Sequence, residues 1–260
     1  MRKLLLGTTA LAAAATLSAN TALADVSISG FYEFTYNSRS SQVAASDGTS
    51  VGSDSEIKVS FSNKTDSGLD IGMVTEIETD DTDSAINEGS LSIAGGFGKL
   101  VLGGNDGASD NYGIDAEDVV AEDMQPTGTD TLALLDTDVE SVDGDSTKIT
   151  YHLPAMGGLT AGVSITDSGT DATTGAQDST SFGAQYTMEA GGASITLGGG
   201  TITQEQVSGT VDIESQNLGI KVVSGDITLI AAQATYEATN ADEEANGVGV
   251  KFKVNDAMSI

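Results

Sequence analysis

Strict alternation of apolar and polar residues, renewed segment after segment from Asp25 to Val254, is the feature that most restricts how this chain can fold. Val26, Ile28, Tyr32, Phe34 and Tyr36 share one phase, then Ile57, Val59 and Phe61, then Leu69, Ile71, Met73 and Ile77. The pattern returns at Leu91 and Ile93, at Leu100 and Leu102, at Ile149, Tyr151 and Leu153, and at Leu159, Ala161, Val163 and Ile165. It continues through Phe182–Met188, Ile195 and Leu197, Leu218–Val222 and Ile227–Ala231, and ends on Val248, Val250, Phe252 and Val254. Ser, Thr, Gly, Lys and Glu fill the other phase. Successive side chains of a strand point to opposite faces, so the pattern predicts strands with one apolar and one polar face. No helical period is sustained beyond residue 24.

The connections fall into two classes that alternate along the chain. Asp66–Gly68, Gly95–Gly96, Pro154–Gly158, Ala190–Gly192, Ser224–Asp226 and Asn255–Asp256 are short and carry the Gly, Asn and Asp that tight hairpins use. The segments 37–55, 79–87, 105–145, 167–178, 203–210 and 238–245 are longer and polar. In an up-and-down meander alternate connections lie at opposite ends, so one end has tight turns and the other long loops. Tilted strands of about ten alternating residues with that asymmetry are the mark of an outer-membrane barrel, whose closure satisfies every backbone donor and acceptor without water. Pro126 and Pro154 both fall in connections, outside any ladder. Twelve strands are counted to Val254, and a thirteenth starts at Ala257. Bacterial barrels have even strand numbers, so the sequence is expected to lack its C-terminal strands.

The N-terminus reads as a secretory signal. Arg2 and Lys3 precede an apolar run, Leu4–Leu17, too short to span a bilayer, and Ala22-Leu23-Ala24 fits the small-x-small cleavage rule. Residues 1–24 are expected to be removed and the barrel to occupy residues 25–260. All 39 acids but only 8 of the 10 basic residues lie beyond residue 24, so the mature charge is 8 − 39 = −31. That excludes a nucleic-acid partner and is compatible with cations. There are no cysteines, so neither disulfides nor thiolate metal sites.

The longest interval without a strand pattern is Asn105–Asp145. Its 41 residues hold 13 carboxylates and no Lys or Arg. A loop of this length is functional or disordered. It reads either as a folded acidic constriction inside a barrel or as a solvated insertion at the surface.

With these elements in place, the chain resembles the alphaproteobacterial porins of the Rhodobacter type. The resemblance starts at DVSISGFYEFTYN (Asp25–Asn37), is best at SEIKVSFSNKTDSGLDIGM (Ser55–Met73), and continues through GSLSIAGGFGKLVLGGNDGASD (Gly89–Asp110). It implies a sixteen-stranded, homotrimeric, water-filled diffusion pore in a Gram-negative outer membrane, passing small hydrophilic solutes and ions. It also implies that Asn105–Asp145 is the third loop, folded inward to narrow the barrel, with acids facing basic residues of the wall. The absence of Trp predicts a thin aromatic girdle.

The loop candidates are Asp110, Asp115, Glu117, Asp118, Glu122 and Asp123. The wall candidates are Lys58, Lys148, Lys221, Lys251 and Lys253, all in the polar phase, with Glu33 and Glu76 giving the lumen mixed sign. A lysine turned to lipid costs roughly 2–4 kcal/mol near the midplane, so the lysines either form a basic wall or simply avoid lipid. With carboxylates in excess, mild cation selectivity is expected. Asp80, Asp81 and Asp83, and Asp136, Asp138 and Glu140, offer oxygen donors for weakly bound Ca²⁺, with solvated loop acid as the alternative. No other cofactor is expected. His152 is the only histidine, which with the lack of Cys rules out most nucleophile–base pairs and zinc sites; among so many acids no carboxylate pair stands out for a hydrolase, and no enzyme is expected. The competing reading is a secreted or surface-attached acidic β-rich adhesin, which would show a fixed repeat period where none is found.

Overall fold

The computed structural model describes residues 15–17, 25–39, 48–78, 88–119, 146–167, 176–206, 212–238, 241–255 and 258–259. Nearly all of them are strand. The chain divides into two compact units, the first running to Gly89 and the second beginning at Ser90.

The first unit contains β1 (Ala15–Leu17), β2 (Asp25–Arg39), β3 (Gly48–Lys64) and β4 (Asp70–Glu78). Each strand pairs antiparallel with the next. The second unit runs from β5 (Glu88–Gly95) and β6 (Gly98–Asn105) to β7 (Ser146–His152), β8 (Leu159–Thr166), β9 (Ala176–Ala190) and β10 (Ala193–Gln206). It ends with β11 (Ile213–Ser224), β12 (Ile227–Ala238), β13 (Ala241–Asn255) and β14 (Met258–Ser259). Here too every strand pairs antiparallel with its successor in the chain. The twelve strands expected from the alternation correspond to β2–β13. Among the described residues no ladder joins the last strand to the first.

The strands outrun the alternation. Residues 37–55 read as a loop, yet β2 continues to Arg39 and β3 begins at Gly48, in register through Arg39 opposite Gly48. Likewise β9 begins at Ala176, β10 reaches Gln206 and β13 begins at Ala241. Ladder bonds are made by the backbone, so a strand continues where its side chains turn polar on both faces. The alternation marks only the length over which one face must be apolar.

The two faces are unlike in the way the alternation requires. In the second unit Phe182, Tyr186, Leu197, Leu218, Ile220, Leu229, Val248, Val250 and Phe252 all stand exposed on one face, Leu218 at 66% and Val248 at 72%. The buried residues on the other face are mostly small or polar, among them Ser164, Ser181, Ser215, Asn217, Ala232 and Ala234, with Ile202 and Ile230 as large apolar exceptions. This inverts a soluble protein, in which large apolar side chains fill the interior. Phe97 and Phe252 stand exposed by the tight turns, and the Tyr151 hydroxyl donates to the Phe97 carbonyl. In the first unit Tyr32, Phe34 and Tyr36 follow one another on the same face of β2.

Candidate functional site: the seat of the long loop

The long loop leaves the ladder at Asn105 and turns onto the polar face of β7–β13. Gly103 holds φ +122°, a conformation that L side chains rarely adopt, and starts this turn. Asn105 then secures it: its Nδ2 donates to the Gly103 carbonyl at 2.7 Å, and its Oδ1 accepts from Thr150 Oγ1 at 2.8 Å. A single helical turn follows, α1 (Ala108–Asn111), then a 3₁₀ turn at Ala116–Val119.

The first part of this segment is fastened at several points to polar side chains of the wall. The Ala108 amide donates to Ser164 Oγ at 3.0 Å and to Ser181 Oγ at 2.9 Å, and the two hydroxyls bond to each other. Asn217 serves both partners: its Oδ1 accepts the Gly200 amide of the sheet and its Nδ2 donates to the Ser109 carbonyl at 3.4 Å. Gln185 Nε2 donates to the Gly113 carbonyl at 3.1 Å. The Tyr112 hydroxyl lies 2.7 Å from His152 Nδ1, with the rings edge to face at 5.8 Å. Burial pushes the Tyr112 phenol above its ordinary value. Tyr112 therefore stays neutral and able to donate at any physiological pH. Within the turn the Asn111 amide donates to Gly107 O and the Gly113 amide to Asp110 O, both at 2.9 Å. Polar groups that would be orphaned under the loop are thus paired, as burial requires.

Between these anchors the wall carries almost no side chain. His152, Gly162, Gly183, Gly200 and Asn217 are successive register partners across β7–β11. One row further along the strands come Gln185, Gly198, Gly219 and Ala232, also in register. Ile114, 2% exposed, lies over Gly198 and Gly219, and Val119 lies over Gly249.

The loop's first fifteen residues are therefore packed on the face opposite the exposed apolar one, which is the arrangement of a channel lined by its own loop. The chain matches the family of Gram-negative porins over residues 7–260. It belongs to that family. The fold of this porin is similar to that of the anion-selective porin from Comamonas acidovorans, with a TM-score of 0.60 and 19% identity over 89% of this chain and 75% of the other. It is also similar to a loop-deletion mutant of OmpT, an outer membrane protein of Vibrio cholerae (TM-score 0.57, 15% identity, 88% and 79% covered). A mutant of the Rh. blastica porin is a third (TM-score 0.53, 13% identity, 90% and 92% covered). At these identities the similarity is one of fold. No curated protein matches the sequence. The porin is accordingly a transmembrane, antiparallel, up-and-down β-barrel protein of the outer membrane, and its exposed apolar face is the one that meets lipid. The family leaves the adhesin alternative without support.

The candidates named from sequence are placed as follows. Asp110 ends up on α1 and Asp115 between the two turns, both half-buried. Glu117 and Asp118 belong to the 3₁₀ turn, and their side chains lie outside the description, as does that of Glu33 on β2. Glu122, Asp123 and the two acidic clusters at 80–83 and 136–140 lie outside the described residues. Lys148 is buried on β7, only 3% exposed. Lys221 is half-buried in the row next to Gly219, and Lys251 and Lys253 follow on β13 beyond Gly249. Lys58 meets acid of its own wall: its ammonium pairs with Glu76, its register partner on β4, and lies 3.8 Å from Glu56. Sequence reasoning missed the fastening residues Ser164, Ser181, Gln185 and Asn217, and it gave His152 no part. The available signal was glycine recurring in the polar phase of β8, β9, β10, β11 and β13, where a lumen wall has no local need of it.

Proposed function

We propose that this porin forms a water-filled channel for passive diffusion of small hydrophilic solutes and ions, with a mild preference for cations, as a homotrimer. The carrying observation is the seating of Asn105–Val119 on the polar face of β7–β13, which supports an acidic loop that begins on the lumen side of the wall. The stretch Asn105–Asp145 carries 13 carboxylates against no Lys or Arg. Low-dielectric walls focus the field of such a loop, so cations concentrate at the narrow section. The lysines temper this. Lys221, Lys251 and Lys253 give the lumen a basic stripe beside the loop, and an opposed acid and base across water orient a polar solute while disfavouring an apolar one. Glu76 and Glu56 offset Lys58 within its own wall. The fold neighbour from Comamonas acidovorans is named as anion-selective, so charge placement, not fold, carries the cation assignment.

Reversal potentials in planar bilayers under a salt gradient test it. The native protein should reverse on the cation side. Replacing Glu117, Asp118, Glu122 and Asp123 together by the neutral amides should reduce that preference. Equal replacements in 79–87 or 167–178 should do much less. Equal effects from all three loops, or reversal on the anion side in the native protein, would rule out the constriction as the selectivity element.

A further inference from the structure

Loop and wall meet with almost nothing between their backbones. A methyl built on Gly219 would stand 2.5 Å from the Ile114 carbonyl oxygen and 2.6 Å from its Cβ. On Gly200 it would stand 2.5 Å from Ser109 Cα, and on Gly198 2.6 Å from the Tyr112 carbonyl oxygen. On Gly183 and Gly249 it would strike the carbonyl oxygens of Ala108 and Ala116. On Gly162 it would meet the edge of the Tyr112 ring at 2.8 Å. Glycine weakens a strand, since it loses more backbone freedom on folding and has no side chain to pack. At these six positions on five strands its use follows from the closeness of the loop's approach.

We propose that this glycine track sets the aperture of the pore. Resting on the channel reading above, the inference assigns the six glycines a specificity-determining role although none of them touches solute. The loop is a wedge between wall and water, and its thickness is fixed by its own residues. Its reach into the lumen is therefore fixed by how closely it sits on the wall. Ordinary contact for a Cβ begins at 3.4 Å, so a methyl at Gly219 displaces the Ile114 backbone by about 3.4 − 2.5 = 0.9 Å. Only one direction is open, because the ladder lies behind. Interiors are close-packed and transmit such a displacement instead of absorbing it.

The test is single-channel conductance of the native protein and its variants in planar bilayers, with the size limit for neutral polymers as a second readout. Gly198→Ala, Gly219→Ala and Gly249→Ala should each lower both. Gly162→Ala should do less, because the added carbon meets a ring edge and the wall's own Tyr151 carbonyl instead of the loop backbone. Gly96→Ala, with nothing within 4 Å of the added carbon, should change neither. Ile114→Ala thins the wedge from the loop side and leaves the ladder untouched, so it reports even where an alanine in the wall prevents folding; it should raise conductance. Wild-type conductance from both heat-modifiable Gly219→Ala protein and Ile114→Ala would overturn the inference. So would increased conductance in the wall variants, the mark of a loop that has swung free. No conductance from the unmodified protein would instead overturn the channel reading.

Discussion

Tyr112 closes the first turn of the long loop with its hydroxyl 2.7 Å from Nδ1 of His152, forty residues further along the chain. The pair ties the loop to the wall where β7 ends. Replacing Tyr112 by Phe keeps the ring over Gly162 and removes only the hydrogen bond. A net hydrogen bond is worth about 1 kcal/mol, so faster amide exchange across Ala108–Asp115 and more open-channel noise are expected, with the barrel intact. Exchange unchanged from wild type would show that the bond does not hold the turn.

Alkaline titration examines the same pair from the other side. The folded phenol is raised above its ordinary value because burial disfavours the phenolate. The neutral form is thus the one the fold favours. Its contribution is complete below the unfolded value near 10 and is lost as pH rises through the higher folded value. Tyrosinate absorbance should show one late-titrating tyrosine that is missing in Tyr112→Phe.

Asn217 holds two partners at once, the Gly200 amide and the Ser109 carbonyl. Asn217→Leu fills the volume and leaves the half-buried Gly200 amide without this acceptor, at about 1 kcal/mol. The temperature at which the SDS-resistant form converts to the unfolded band should fall. Asn217→Asp keeps the acceptor and loses the donor, so it should retain more of that resistance.

These contacts also show where reading the sequence succeeds. The alternation located β2–β13 because one face of each strand meets lipid, and Val248, Val250 and Phe252 carry that rule residue by residue. Strand ends such as Arg39 opposite Gly48 were not legible, because beyond the apolar layer backbone pairing needs no side-chain pattern. The placement of the loop was legible only through family resemblance. Gly162, Gly183 and Gly200 become one row only when two strand registers are known, and a slip of one residue in any strand would turn its glycine outward. His152 looked like an isolated residue beside a turn because its partner comes from the loop.

Glu76→Gln tests the wall pair. Lys58 is partly exposed, so the ion pair contributes at most about 1 kcal/mol, and thermal stability should hardly move. Removing this carboxylate should shift the reversal potential toward anions, more at 0.1 M salt than at 1 M, where the screening length falls from about 10 Å to about 3 Å. A shift independent of salt would point to altered pore shape.

The lipid face makes a contrasting prediction. Leu218→Arg places a charge on the exposed apolar face and Thr196→Arg places one on the polar face of the neighbouring strand. The first should cost roughly 2–4 kcal/mol if near the midplane and reduce the folded yield in vesicles. The second should fold normally and shift selectivity toward anions.

The seat of the loop also constrains the order of construction. Ser109 reaches a partner 108 residues away, and its neighbours in the turn depend on β7, β8 and β9. Contacts so distant along the chain form late, after the loops between them have closed. The anchoring of the turn is thus complete only once β11 has been laid into the wall. An assembling barrel short of that strand has its hydrogen-bonded staves but not yet its gate, so the permeability of a half-built porin differs in kind from that of the finished one.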